Sequence, residues 1–136
     1  GGGSTEFVLG SDAVAAARSV DIGCVRMTER HLTEDGTVVD PPTHDRVAAI
    51  RKDIEAALDV AAATVPLTEA ATLVGLAGTV TTIAGIALEL TAYDSEAIHH
   101  SRVTRGQVRA ITERLLQSTH EERAAIPVMH LSLIHI

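Results

Sequence analysis

Six residues constrain the fold more than any others: Gly1-Gly2-Gly3-Ser4-Thr5-Glu6, running without a break into Phe7-Val8-Leu9. Consecutive glycines let a backbone turn tightly and aim several N–H groups at one point, a concavity suited to an anion. Ser4 and Thr5 add hydroxyl donors, and Glu6 sets a carboxylate beside the same concavity. A loop of this kind leading into a strand suits phosphoryl chemistry. Gly-Gly-Gly-Ser is equally the composition of a flexible spacer, so the local residues leave both readings open.

What surrounds the loop narrows the fold class. At 136 residues the chain holds at most one domain. With one Phe, one Tyr and no Trp, its core must be built from Ala, Val, Ile and Leu, which pack well in α/β layers. The same scarcity argues against single-stranded nucleic acid, whose bases stack on aromatic rings. A net charge of −7 disfavours nucleic acid bound through a basic surface. It does not exclude a small polyanion held by main-chain amides, a helix N-terminus or a divalent metal. Cys24 is the sole cysteine, so no intrachain disulfide forms, and its neighbours Ile22, Gly23 and Val25 suggest a buried structural thiol. Threonines and glycines interrupt the apolar run of residues 73–90, which therefore reads as strand, turn and helix and not as a membrane span. No signal peptide is legible, and a cytoplasmic protein is expected.

Along the chain, residues 6–10 read as a strand closed by Gly10-Ser11-Asp12. Residues 14–22 fit a second strand, although Ala15-Ala16-Ala17 has helical propensity. Residues 24–32 fit a short helix, and residues 33–42, with Asp35-Gly36 and Pro41-Pro42, an exposed loop. Thr43 is placed to cap a helix running to about Ala63, with Val47, Ile50, Ile54, Ala57 and Ala61 on one face. Arg46, Lys52, Asp53 and Glu55 then form its solvated side. Residues 70–77 lack polar alternation and are expected as a central parallel strand. After a Gly75–Gly78 turn, residues 79–90 show helical spacing. Tyr93 to Glu96 reads as a turn and residues 97–103 as a short strand. Capping boxes at Thr104-x-x-Gln107 and Thr119-x-x-Glu122 predict two further helices, the second ended by Pro127.

Two glycine turns can therefore carry chemistry: the opening loop, and Gly75-Leu-Ala-Gly78-Thr79 between a predicted strand and a predicted helix. In the second, Thr79, Thr81 and Thr82 lie near a helix N-terminus that favours an anion, though a glycine there can equally serve packing. Seven histidines form no HExxH pair, and His99 and His100 in a strand face opposite ways, so zinc is not expected. Neither a nucleophile elbow nor a lysine-bearing phosphate loop occurs.

Four segments in order carry a resemblance. Gly1-Gly2-Gly3-Ser4-Thr5-Glu6-Phe7-Val8 resembles the second phosphate-loop motif of the exopolyphosphatase/guanosine pentaphosphate phosphohydrolase family. The block from Arg18 through Gly23 and Arg26 to Glu29-Arg30 resembles that family's strand and helix. Gly75 to Thr82 resembles its later nucleotide loop, and Arg102-Val-Thr104-Arg-Gly-Gln107 the start of its next helix. The match covers about residues 1–130.

The resemblance implies an α/β fold: part of an actin-like ATPase (ribonuclease H-like) lobe, a mixed sheet with flanking helices. It implies release of terminal phosphate from inorganic polyphosphate or guanosine pentaphosphate with Mg2+ or another divalent cation. Gly1, Gly2, Gly3, Ser4 and Thr5 would hold phosphate, with Gly78 and Thr79 lining the far side of a cleft. Glu6 would be the catalytic carboxylate and metal ligand. Residues 1–130 are expected to form a truncated second lobe, inactive alone, whose parent can pair as a homodimer. Residues 131–136, Leu-Ser-Leu-Ile-His-Ile, are expected to be a non-native tail. The family pattern places an Asp before Gly1 and a further lobe upstream. Two rivals remain at this point: an actin-like sugar-kinase lobe binding ATP, and a non-enzymatic interaction module that docks through its helices.

Overall fold

The computed structural model describes residues 2–129. They fall into two compact units: residues 2–39 with Thr43–Val74, and Asp40–Pro42 with residues 75–129.

In the first unit, both strands expected here form: β1 (Thr5–Gly10) pairs antiparallel with β2 (Val14–Val20). The register sets Thr5 opposite Val20, Glu6 opposite Ser19 and Phe7 opposite Arg18, and slips at a bulge between Leu9 and Gly10. Side chains alternate across a strand, so Thr5, Phe7 and Leu9 share the half-buried face while Glu6 and Val8 face solvent. Helix α1 (Cys24–Met27) runs into a π-helical turn, Thr28–Leu32. Residues 33–42 hold a small hairpin inside the expected loop, β3 (Thr33–Glu34) with β4 (Thr37–Val38). Asp35 and Gly36 both take positive φ, 50° and 79°, as a two-residue hairpin turn requires. Cys24 is only partly buried, which corrects the expectation of a core thiol.

Helix α2 (His44–Thr64) begins at Thr43, whose side chain nevertheless makes no capping bond. Its Ile50, Ile54, Ala57 and Ala61, at helical spacing, pack with Phe7 on a core of Val20, Ile22 and Met27. The expected solvated side of α2 is in part a polar seam. Arg46 bonds Glu34 and the His31 carbonyl, while Asp53 accepts from Arg30 and His31 at 2.8 Å each. A 3-10 turn, Leu67–Glu69, closes the unit.

The second unit is helical. Helix α3 (Gly78–Ala87) packs against α4 (Ser95–Ile98) and α5 (Arg105–Gln117). Gly85 lets Val128 approach closely, since a Cβ there would sit 3.2 Å from three Val128 carbons. Both predicted capping boxes form, Thr104 with Gln107 on α5 and Thr119 with Glu122 on α6 (His120–Ala124). Asp40 belongs to this unit: it pairs with Arg123 at 2.5 Å and accepts the His120 amide.

Three expectations fail. Residues 70–77 form no strand, and Leu73, Val74 and Leu76 are 94%, 73% and 79% exposed. Apolar character makes a segment fit for a strand, but a hydrogen-bonded neighbour makes it one, and among the described residues none pairs with it. The mixed sheet is absent for the same reason: the described strands form only two antiparallel pairs. Residues 97–103 are not a strand: Asp94 accepts from the amides of Glu96 and Ala97 and starts α4, which takes up Ala97 and Ile98, and the chain then turns at His100, where φ is 60°. The rings of His99 and His100 consequently stack 3.8 Å apart and do not face opposite ways. No helix among the described residues is long and apolar enough to cross a membrane.

Candidate functional site

The glycine loop lies against the start of α1. Arg26 donates its main-chain N–H to the Gly2 carbonyl (3.0 Å) and its Nε–H to the Gly3 carbonyl (2.8 Å). A Cβ on Gly2 would come within 2.8 Å of Val25 Cγ2, so glycine is needed there for packing. Within a trans peptide the C=O and the following N–H point in opposite directions. Two carbonyls drawn toward Arg26 therefore turn the peptide N–H groups that follow them to the other side of the loop.

Glu6 stands on the exposed face of β1. Its Oε1 accepts from Ser4 Oγ at 2.5 Å and from Ser19 Oγ at 3.1 Å. These bonds, that from Ser4 foremost, favour the ionised form and hold the carboxyl below its ordinary range. Both converge on one oxygen, Oε1. Thr5 behaves differently from the expectation of a phosphate-facing hydroxyl, since its Oγ1 donates to the Ile22 carbonyl at 2.6 Å.

Gly78 and Thr79 lie in the second unit, at the first turn of α3. A Cβ on Gly78 would meet nothing within 4 Å, so local packing does not demand glycine there. The residue that caps α3 is Ala77, held at φ 77° and ψ 177°, a region of backbone space that glycine alone enters readily. Gly1 lies outside the described residues, as do residues 130–136 with the expected tail.

Two residues beside the loop escaped the sequence reading of the site. Ser19 was legible in principle, because a hairpin closing at residues 10–14 sets it across from Glu6. Arg26 was not, since its contact with the glycines depends on how α1 packs.

A divalent cation can be tested against these donors. Among the described residues no group of three or more His, Cys, Asp or Glu could hold a metal, so a closed protein cage is not present. Mg2+, however, often takes one or two carboxylates, with substrate phosphate and water filling its remaining positions. Glu6, with its carboxyl held below the ordinary range and both serine bonds on Oε1, fits that mode.

By architecture the chain is an α/β protein whose first strand is reached through a glycine loop. Its residues 1–132 match the profile of the Ppx/GppA phosphatase family. It is 48% identical over 130 residues to Exopolyphosphatase 2 of Mycobacterium tuberculosis, covering 96% of this chain and 39% of that protein. A Fusobacterium nucleatum bifunctional 3-dehydroquinate synthase/phosphatase is 30% identical over 112 residues, 79% of this chain and 16% of its own. Among solved structures, an exopolyphosphatase-like protein superposes with a TM-score of 0.90 at 37% identity, covering 98% of this chain and 42% of that one. The Aquifex aeolicus Ppx/GppA family member superposes with a TM-score of 0.81 at 30% identity, covering 98% and 41%. The chain belongs to the Ppx/GppA phosphatase family. It spans about two fifths of the length of the exopolyphosphatase it matches.

Proposed function

We propose that this chain is part of a phosphohydrolase that releases terminal phosphate from inorganic polyphosphate, and that guanosine pentaphosphate, which ends in the same phosphoryl group, is its second substrate. The observation that carries the reading is the junction of a glycine loop with Glu6, whose carboxylate is held on one oxygen by Ser4 and Ser19. Family membership supports polyphosphate first, because the curated relative at 48% identity is named an exopolyphosphatase.

In this reading the amides of Gly1 to Thr5 carry the negative charge of the terminal phosphoryl group. Little covalent work is then left to the protein, since phosphoryl transfer to water depends mainly on positioning and charge stabilisation. Glu6 orients the attacking water and accepts its proton through Oε2, while Oε1 stays fixed by the two serines. Were Glu6 to hold Mg2+ in place of that water, the ion would neutralise charge on the phosphate oxygens. For Gly78 and Thr79 a phosphate-binding role rests on the family likeness and on the unpaired amides that any helix presents in its first turn. The fold itself is proposed to be part of an actin-like lobe, and the chain alone to bind substrate without turning it over.

Two measurements test this. Calorimetric titration of the 136-residue chain with inorganic tripolyphosphate and Mg2+ should show saturable binding. Exchanging the segment into the Mycobacterium tuberculosis relative should give a chimera that releases phosphate from polyphosphate. In that chimera Glu6→Gln should lower turnover by about 10²–10⁴-fold, the usual contribution of a general base. Turnover within threefold of the unmodified chimera would overturn the role given to Glu6.

A further inference from the structure

The ground on which the sequence set zinc aside does not hold in the structure. A strand would turn His99 and His100 to opposite faces. Instead their rings stack, with centroids 3.8 Å apart and planes 29° from parallel, and both residues are exposed. The chain around them is anchored. Ile98, the last residue of α4, is buried, and α4 packs against α3. His99 leaves the helix with its N–H on the Ser95 carbonyl at 2.9 Å. His100 then takes φ 60°, and the Ser101 N–H closes the turn on the Ile98 carbonyl at 3.0 Å. Left-handed backbone is unfavourable for a residue that carries a Cβ, and residues held there gather at ligand clamps.

A neutral imidazole offers one ring nitrogen to a late first-row metal ion such as Zn2+ or Cu2+, at about 2.0–2.1 Å. Two such ligands on neighbouring positions of one ion set their nitrogens roughly 3 Å apart. Rings already side by side reach that spacing through small changes of side-chain torsion, with the backbone between them fixed by the turn. His31 differs, because its Nε2 is committed to Asp53. Among the described residues no third His, Cys, Asp or Glu joins the pair to make a cage, so water completes the coordination. A net charge of −7 draws cations to the chain, but Mg2+ prefers oxygen ligands and would not take this pair.

We infer that the stacked pair His99–His100 is an open, two-imidazole site for a late first-row divalent cation. The pair belongs to the second unit and Glu6 to the first, and the site needs no part of the phosphate reading.

The test is calorimetric titration of the whole chain with Zn2+ in an excess of Mg2+, with the histidine ring signals followed by NMR. Zn2+ should bind despite the Mg2+, and the His99 and His100 signals should shift or broaden together at the same metal ratio. His99→Gln and His100→Gln should each weaken binding about tenfold or more, because one of two ligands is gone. His44→Gln, on a different helix, should leave the affinity unchanged. Zn2+ affinity unaltered in both single variants would overturn the inference. So would Zn2+ displaced by Mg2+, which marks an oxygen site, or signals that move only at other histidines. The ring signals are read on the unaltered chain, so a variant that fails to fold does not leave the question open.

Discussion

Replacing Asp40 with alanine should cost the second unit more than any surface substitution. The Asp40 carboxylate bridges two groups, the Arg123 guanidinium and the His120 amide that opens α6. Arg123 is 10% exposed at its side chain and Asp40 20%, so the pair lies mostly out of water. Arg123 also has a buried Nε with no partner among the described residues, so its remaining bonds matter more. Removing the carboxylate leaves the Nη1 bond to the Ser118 carbonyl, at 2.6 Å, as the one hydrogen bond of this guanidinium among the described residues. Breaking a buried pair by deleting one partner costs about 3–5 kcal/mol, and the partial exposure of Asp40 sets the expected loss near the lower end, about 3 kcal/mol. With a urea dependence of about 1–3 kcal/mol per molar, the unfolding midpoint should drop by roughly 1–3 M. Amide exchange in α5 and α6 should accelerate together. Asp40→Ala combined with Arg123→Met should recover much of the loss, because no buried charge is then stranded. A single-variant cost below about 1 kcal/mol, the value of an exposed ion pair, would refute the reasoning.

Three further outcomes are expected. Ala77→Gly should raise the thermal midpoint: relief of the backbone strain at φ 77°, about 1–3 kcal/mol, exceeds the roughly 0.5–1 kcal/mol that glycine's extra freedom costs. A lowered midpoint would show that Ala77 is not strained. Ser19→Ala should move the Glu6 carboxyl toward its ordinary value of 4.5, read by NMR titration, because one of the two hydroxyls favouring the anion is gone. An unmoved titration would remove Ser19 from the site. For Asp53, bonds from Arg30 first and His31 second hold the carboxyl below its ordinary 3.8. A depressed folded value means the stabilisation is present above that ordinary value and disappears as pH falls through the folded one. Urea midpoints should therefore fall on acidification below about pH 4, and Asp53→Asn should flatten that fall.

What was legible in the sequence follows from how local each signal is. The capping boxes at Thr104 and Thr119 formed as predicted because both partners lie within one turn of helix. The α2 face of Ile50, Ile54, Ala57 and Ala61 was legible because burial repeats with the helix. Residues 70–77 misled because the chemistry of a buried strand was read without knowing whether a neighbour pairs with it. Residues 97–103 misled because one side chain, Asp94, outcompeted strand propensity. At the candidate site the order Gly-Ser-Thr-Glu was visible at once. The commitments of its hydroxyls were not: Thr5 donates a hydrogen bond to the Ile22 carbonyl and Ser19 comes from the paired strand, contacts made only when distant segments come together.

The uncovered stretch around Leu73, Val74 and Leu76 bears on how the isolated polypeptide behaves in a tube. It combines β-branched and aliphatic side chains with neither charge nor proline, the composition from which cross-β stacks grow. Solubility should therefore be governed by concentration, and a lysine in place of Leu73 should delay turbidity while helical circular dichroism stays unchanged.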